Sequence, residues 1–418
     1  MTYDLSFLDD KDLILTGENR DMIATHSFLD KFAKPASIKH VKIDTNNDTL
    51  ASEQIGNPNM DKTIVIKSPG LPPKFLDIPY ITSAQIFFEL ANQIGAKIIG
   101  VTGTKGKTTT SALIHKILAD AGLDARLCGN GGTSFLPSLE DADQNTIFVA
   151  ELSSYMLNEI TVSPNIAVVT NLYNDHVDWH ETLEAYYGAK ENIVKHQTDK
   201  DFYVYNSNFE MLSNWAQKYP TTDLDIATLS QKAYQTKLLG DHNQDNIRMC
   251  VAVAQLLDVP EDSYLKTIAE FEPVKHRLQL VRVVDKVSYI DDAIASMPDA
   301  AIAGIKAATN SVNPISVLLL GGQDRDYDFM ELMQTAADYK IPNLVMFPDT
   351  IEKMKDALPN GYYPNIYETM DMIAAVKWAS QKAGHNTTVL LSNGAPSYSL
   401  WKDFEDKGSQ FQSAVMFL

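Results

Sequence analysis

Cysteine is nearly absent: 418 residues hold only Cys128 and Cys250. The two have no metal-ligand spacing, and they read as buried thiols of a reducing compartment rather than as a disulfide. Long apolar runs are missing too, so no transmembrane helix is expected. The opening MTYDLSFLDD lacks the basic and apolar regions of a signal peptide, and the expected location is the cytoplasm. Positive charge is scarce, with 35 Lys and Arg against 54 Asp and Glu and a net charge of −19. That balance argues against nucleic acid or an anionic membrane as a partner. Anionic substrates would have to be held by local basic groups and helix N-termini, with Mg²⁺ offsetting part of the field. The length suffices for two or three domains, each with its own core.

The richest stretch runs from Ile98 to Leu118, IIGVTGTKGKTTTSALIHKIL. Ile98, Ile99 and Val101 predict a buried strand, Gly103 to Gly106 a tight turn, and the spacing of Leu113, Ile114, Ile117 and Leu118 a helix opening at Thr108. Strand, glycine turn and helix start suit a polyphosphate, because the backbone comes close and free N–H groups point at the anion. Lys107 can reach the phosphates, and the Thr108 hydroxyl can ligate Mg²⁺.

Further polar residues stand where predicted strands end. Thr16 and Gly17 follow DLILT, and Ser68 opens a Ser-Pro-Gly turn after Thr63 to Ile66. Ser68 alone fits a plain turn equally well. Cys128 to Gly132 is a glycine cluster around Asn130, and Glu151 ends the strand TIFVA ahead of Ser154. Asn174, Asp175, His176 and Asp178 follow IAVVT, and Lys190 lies fourteen residues beyond His176. Asn243 and Asn246 open a helix predicted over Ile247 to Leu257, where Asp241 or Asn243 can cap. Strand and helix patterns alternate from residue 299 onward, which predicts a doubly wound parallel sheet.

The loop Gly100, Gly103-Thr104-Lys105-Gly106-Lys107-Thr108, with Thr109 behind it, resembles the phosphate loop of the Mur ligases, the ATP-dependent enzymes that add amino acids to the peptidoglycan precursor. The Asp-His pair followed by Tyr186-x-x-x-Lys190 is similar to theirs as well. The resemblance covers essentially the whole chain and leans toward the glutamate-adding members. It implies an α/β chain of three domains: a Rossmann-like UDP-sugar domain (1–95), an ATP-binding P-loop domain with a mostly parallel sheet (96–274), and a doubly wound, amino-acid-binding domain (275–418).

The same resemblance implies roles. Thr16, Gly17 and Ser68 would face the uridine diphosphate, Asn130 the nucleotide-sugar, and Ser154 the acceptor. Thr108 and Glu151 would hold one Mg²⁺ and His176 a second, beside a carbamylated Lys190. A lysine ammonium would repel a cation, whereas its carbamate is anionic. Asn243, Asn246, Arg277 and Asp292 would contact ATP; Arg325, Ser397 and Phe404 would hold glutamate. Lys107, His176, Lys190 and Arg277 would carry catalysis. ATP would phosphorylate the carboxylate of UDP-N-acetylmuramoyl-L-alanine, and glutamate would attack the acyl phosphate, in a monomeric enzyme. The chain departs from the family pattern in two places: Lys105 replaces the usual Asn, and the stretch Ala293-Ile294-Ala295-Ser296 replaces Ser-Lys-Ala-Thr. Ile294 cannot donate to a carboxylate, which leaves open the amino acid and its isomer. A sister ligase, a folylpolyglutamate synthase-like enzyme and a nucleotide-binding partner without ligase activity are the alternatives.

Overall fold

A computed structural model describes residues 3–45, 49–173, 177–229, 232–240, 242–311 and 313–418. Among these residues the strands form three sheets. The first contains β1 (Asp12–Thr16), β2 (Ser37–Val41), β3 (Thr63–Lys67) and β4 (Ile81–Thr82), in the order β2-β1-β3-β4 and all parallel. Leu13, Leu15 and Ile66 pack on one face with Phe28 and Phe87, while Ile14 and Val65 pack on the other with Ile43 and Leu71. Burial on both faces is why β1 and β3 read as continuous apolar runs. β2 (SIKHV) is half-exposed at the edge, where no such run is required.

The second sheet contains β5 (Lys97–Thr102), β6 (Ala125–Gly129), β7 (Ile147–Glu151), β8 (Ile166–Val169), β9 (Phe202–Tyr205) and β10 (Thr222–Asp225). Its order is β10-β9-β8-β5-β7-β6, parallel throughout. The central strand β5 therefore lies between β7 and β8. The residues leaving the carboxyl ends of those three strands become neighbours at one edge, where ligands of parallel sheets bind.

The third sheet contains β11 (Gln279–Val284), β12 (Val287–Asp291), β13 (Ile315–Gly321), β14 (Asn343–Phe347), β15 (Asn365–Glu368) and β16 (Thr387–Leu391), ordered β11-β12-β16-β13-β14-β15. Only the β11–β12 pair is antiparallel.

The chain divides into two compact units, residues 1–235 with 245–269, and residues 236–244 with 270–418. The first holds the first two sheets and the second holds the third. Among the described residues no helix is long and apolar enough to cross a membrane. Cys128 and Cys250 are buried free thiols, and burial pushes the Cys128 thiol up to about 12.

Candidate active site

The phosphate loop leaves β5 and enters the helix Lys107–Asp120. Gly103 has φ +140°, and a Cβ there would lie 1.9 Å from Thr170 Oγ1, so only glycine fits. Gly106 caps the helix in the left-handed region and lies against Asn246, which would be 2.8 Å from an added Cβ. A glycine cap brings no side-chain oxygen to the first-turn N–H groups, which suits them to an anion. The loop backbone is held from β8: Asn171 Oδ1 accepts from Lys105 N at 2.9 Å, Asn171 Nδ2 donates to Lys105 O at 2.9 Å, and Thr170 Oγ1 donates to the same carbonyl at 2.6 Å. Lys105 is thus anchored through its main chain with its side chain exposed. Thr109 is buried in the first helical turn.

Glu151, 1% exposed, ends β7 beside this loop. Thr108 Oγ1 and Asn130 Nδ2 each donate to its Oε1 at 3.1 Å, and Ser111 Oγ reaches Oε2 at 3.5 Å. Gly131 is so close that a Cβ would lie 2.0 Å from Oε2. These donors are neutral, and a buried carboxylate calls for a cation as well. No group of three or more His, Cys, Asp or Glu able to hold a metal occurs among the described residues. A cation here would draw on hydroxyl, water and phosphate oxygens, as Mg²⁺ does. Ser154 is buried, and its hydroxyl has no hydrogen-bond partner among the described residues.

Two lysines converge on one loop carbonyl. Lys107 Nζ donates to Gly103 O and Thr104 O, both at 3.0 Å. Lys190, 1% exposed in the helix Leu183–Lys195, donates to Gly103 O at 2.9 Å and Thr102 Oγ1 at 3.3 Å. Two nitrogens bonded to the same oxygen are no more than about 6 Å apart, so their charges reinforce each other toward an anion. Tyr186 lies under Lys190, with Nζ 5.1 Å from the ring centre, and its hydroxyl pairs with Thr104 Oγ1 at 2.9 Å. Tyr186 and Ser111 were not expected to take part; Tyr186 stands one helical turn before Lys190, a spacing that offered the clue. His176, with Asn174, Asp175 and Asp241, lies outside the described residues.

In the first sheet Thr16, Gly17 and Ser68 do come together. They line a cleft of about 340 Å³ with Asn19, Lys42 and Leu71. Thr16 Oγ1 accepts from Ser68 N at 2.8 Å. Asn19 caps the helix Arg20–Phe32 and donates to Ser68 Oγ at 2.5 Å.

The second unit holds the other expected residues. Asn243 donates to Leu239 O at 2.6 Å. The buried Nε of Arg277 has no hydrogen-bond partner among the described residues. Ser397 is buried, 3.5 Å from Asn393 Nδ2. Arg325 is exposed, donating to Gln323 Oε1 at 3.0 Å, and Phe404 is half-buried at the start of the helix Phe404–Met416. Gln323 N donates to Pro396 O at 2.7 Å, so the loops carrying Arg325 and Ser397 are joined. Ile294 contributes its main-chain N–H to His276 O.

Asp292 is buried, taking Ser392 Oγ at 2.8 Å and Leu278 N at 3.2 Å. Burial raises its pKa to about 7, against the hydrogen bond from Ser392 and the pull of Arg277. A carboxyl raised in the fold binds its proton more tightly there than in the unfolded chain. Its contribution is complete below the unfolded value near 4 and is lost as pH rises through about 7. Asp292→Asn removes that titration. The melting temperature of the variant relative to wild type is expected to rise between pH 4 and pH 8, and a flat difference would contradict the buried proton.

Two family models match the chain: the Mur ligase middle domain over residues 101–235 and the Mur ligase, glutamate ligase domain over residues 276–393. The UDP-N-acetylmuramoylalanine–D-glutamate ligase of Symbiobacterium thermophilum is 31% identical over 88% of this chain and 86% of its own length. The Clostridioides difficile protein of the same name is 28% identical over 98% and 99%. Among solved structures, the MurF ligase of Thermotoga maritima in complex with ADP superposes with a TM-score of 0.62 at 15% identity, covering 99% of this chain and 96% of that one. The UDP-N-acetylmuramate-alanine ligase MurC of Thermotoga maritima gives 0.61 at 20% identity, covering 97% and 99%. At such identities the structures speak for the fold.

Proposed function

The chain belongs to the Mur ligase family of ATP-dependent ligases, and from that premise we propose that it joins D-glutamate to UDP-N-acetylmuramoyl-L-alanine in peptidoglycan precursor synthesis. The observation that carries this reading is the meeting of the phosphate loop with Glu151, where Thr108 and Asn130 share one carboxylate oxygen. Relatives that match nearly end to end bear the name of that ligase. Amino-acid-dependent and acceptor-dependent ADP release tests it.

The loop amides and Lys107 bind the triphosphate, and the acceptor carboxylate attacks the γ-phosphorus to give an acyl phosphate and ADP. The amine of glutamate then attacks the acyl carbon, and phosphate leaves with the former carboxylate oxygen to give the amide. Positioning and charge neutralisation supply the rate. Thr108 and Glu151 would hold a Mg²⁺ ion, and the family resemblance assigns a second to His176 beside a carbamylated Lys190; bound, the ions neutralise phosphate charge. Carbamylation would turn a cation close to Lys107 into an anion able to pair with it. Thr16, Gly17 and Ser68 take the uridine diphosphate, and Asn130 and Ser154 the sugar-linked acceptor. Asn243, Asn246, Arg277 and Asp292 take ATP, and Arg325, Ser397 and Phe404 take glutamate. The proposed division is 1–95, 96–274 and 275–418, in a monomeric cytoplasmic enzyme.

A further inference from the structure

Lys67, the last residue of β3, is a lysine with no exposed surface, a rare condition for this side chain. Its Nζ donates to Leu71 O at 3.1 Å and Ser68 O at 3.3 Å, the two ends of the Ser-Pro-Gly turn. It also lies 3.6 Å from Glu159 Oε2, and the rings of Trp179 and Tyr80 are centred 5.5 and 5.7 Å away. Tyr80 holds the other oxygen of Glu159 at 3.0 Å, and Trp179 Nε1 donates to Gly70 O at 3.2 Å. The turn belongs to the first sheet, whereas Glu159 and Trp179 follow β7 and β8 of the second. Burial lowers the Lys67 pKa, with Glu159 opposing the shift, so a charge there comes at some cost.

We propose that Lys67 is a positioning residue for the nucleotide-linked acceptor: it ties the Ser68–Leu71 turn, one wall of the 340 Å³ cleft, to the segments that follow Glu151 and β8. Ser68 and Leu71 line that cleft directly. An apolar side chain of the same length would fill the space but would remove the ammonium from both carbonyls, leaving Ser68 O with the Leu71 N–H alone. The tie fixes the cleft relative to the phosphate loop within the first unit, which a substrate that reaches from one to the other requires. This rests on the function proposed above, so its test has one readout that needs no substrate.

In the full chain, Lys67→Met is expected to raise KM for UDP-N-acetylmuramoyl-L-alanine about tenfold, the worth of one to two buried hydrogen bonds. KM for ATP should stay within about twofold, because the variant leaves the phosphate loop untouched. Without substrate, amide hydrogen exchange at Gly70 and Leu71 should quicken while β5 stays protected. Trp179→Phe, which keeps a ring over the ammonium but loses the donor to Gly70, should raise the acceptor KM about threefold. It decides the matter if Lys67→Met does not fold. An unchanged acceptor KM in the folded variant, or equal rises in both KM values, overturns the proposal, as does unaltered exchange at the turn. A wild-type protein that ignores the precursor would overturn the assigned function instead, with exchange still deciding whether the tie exists.

Discussion

Lys190→Ala is expected to lower ligation by about a hundred- to a thousandfold, the scale for losing one preorganised charged group at a phosphoryl-transfer site. The side chain is buried, with its nitrogen on Gly103 O and Thr102 Oγ1, so it touches the loop backbone that would cradle the phosphates in the proposed pose. A carbamate would carry the anionic head at the end of this stem. Alanine leaves a cavity behind Tyr186 that a short carboxylate can enter, and acetate or propionate should restore a measurable part of the rate. Initial rates with and without the added acid are the readout. A loss of fivefold or less, or a larger loss that no carboxylate relieves, would remove the carbamate role.

Lys107→Ala should be more damaging, about a thousandfold or more in kcat/KM, because it removes the point charge nearest the γ-phosphate in the proposed pose. Lys107 Nζ now rests on Gly103 O and Thr104 O, carbonyls of its own loop, and ATP would draw it outward. Lys107→Arg should not recover the rate, since a planar fork does not fit where a compact ammonium does. Both variants should keep the wild-type melting temperature within a few degrees, as the residue is not part of the core. A variant retaining a tenth of the activity would place the triphosphate elsewhere.

The sequence made the first-unit site legible where chemistry is local. Gly103, Gly106, Lys107 and Thr108 are consecutive or nearly so, and their spacing carries their geometry. Glu151 was legible because a strand run ends on it, and parallel topology then brings that end beside the loop. Ser111 and Lys67 act through contacts between elements distant in sequence, and nothing around Lys67 marks it as buried, whereas Tyr186 carried a clue in its spacing from Lys190. Edge strands were harder to see for a related reason. β2, β11 and β15 are half-exposed, so their residues alternate or mix where the central strands show unbroken apolar runs. The helix His242–Leu256 begins five residues before its apolar pattern does, since its first turn is polar. Ile294 shows the opposite case: its departure from the family pattern was visible, and its hydrogen bonds run through its main chain, from its N–H to His276 O and from Ser296 N to its carbonyl.

The assignment meets its most direct test in ADP release by the full chain with UDP-N-acetylmuramoyl-L-alanine, followed with D-glutamate, L-glutamate and other amino acids. Release that requires both the nucleotide acceptor and D-glutamate, with one amide formed per ADP, is the predicted result. Turnover that proceeds without that acceptor, that prefers a folate or another amino acid, or that yields ADP and no amide would contradict it.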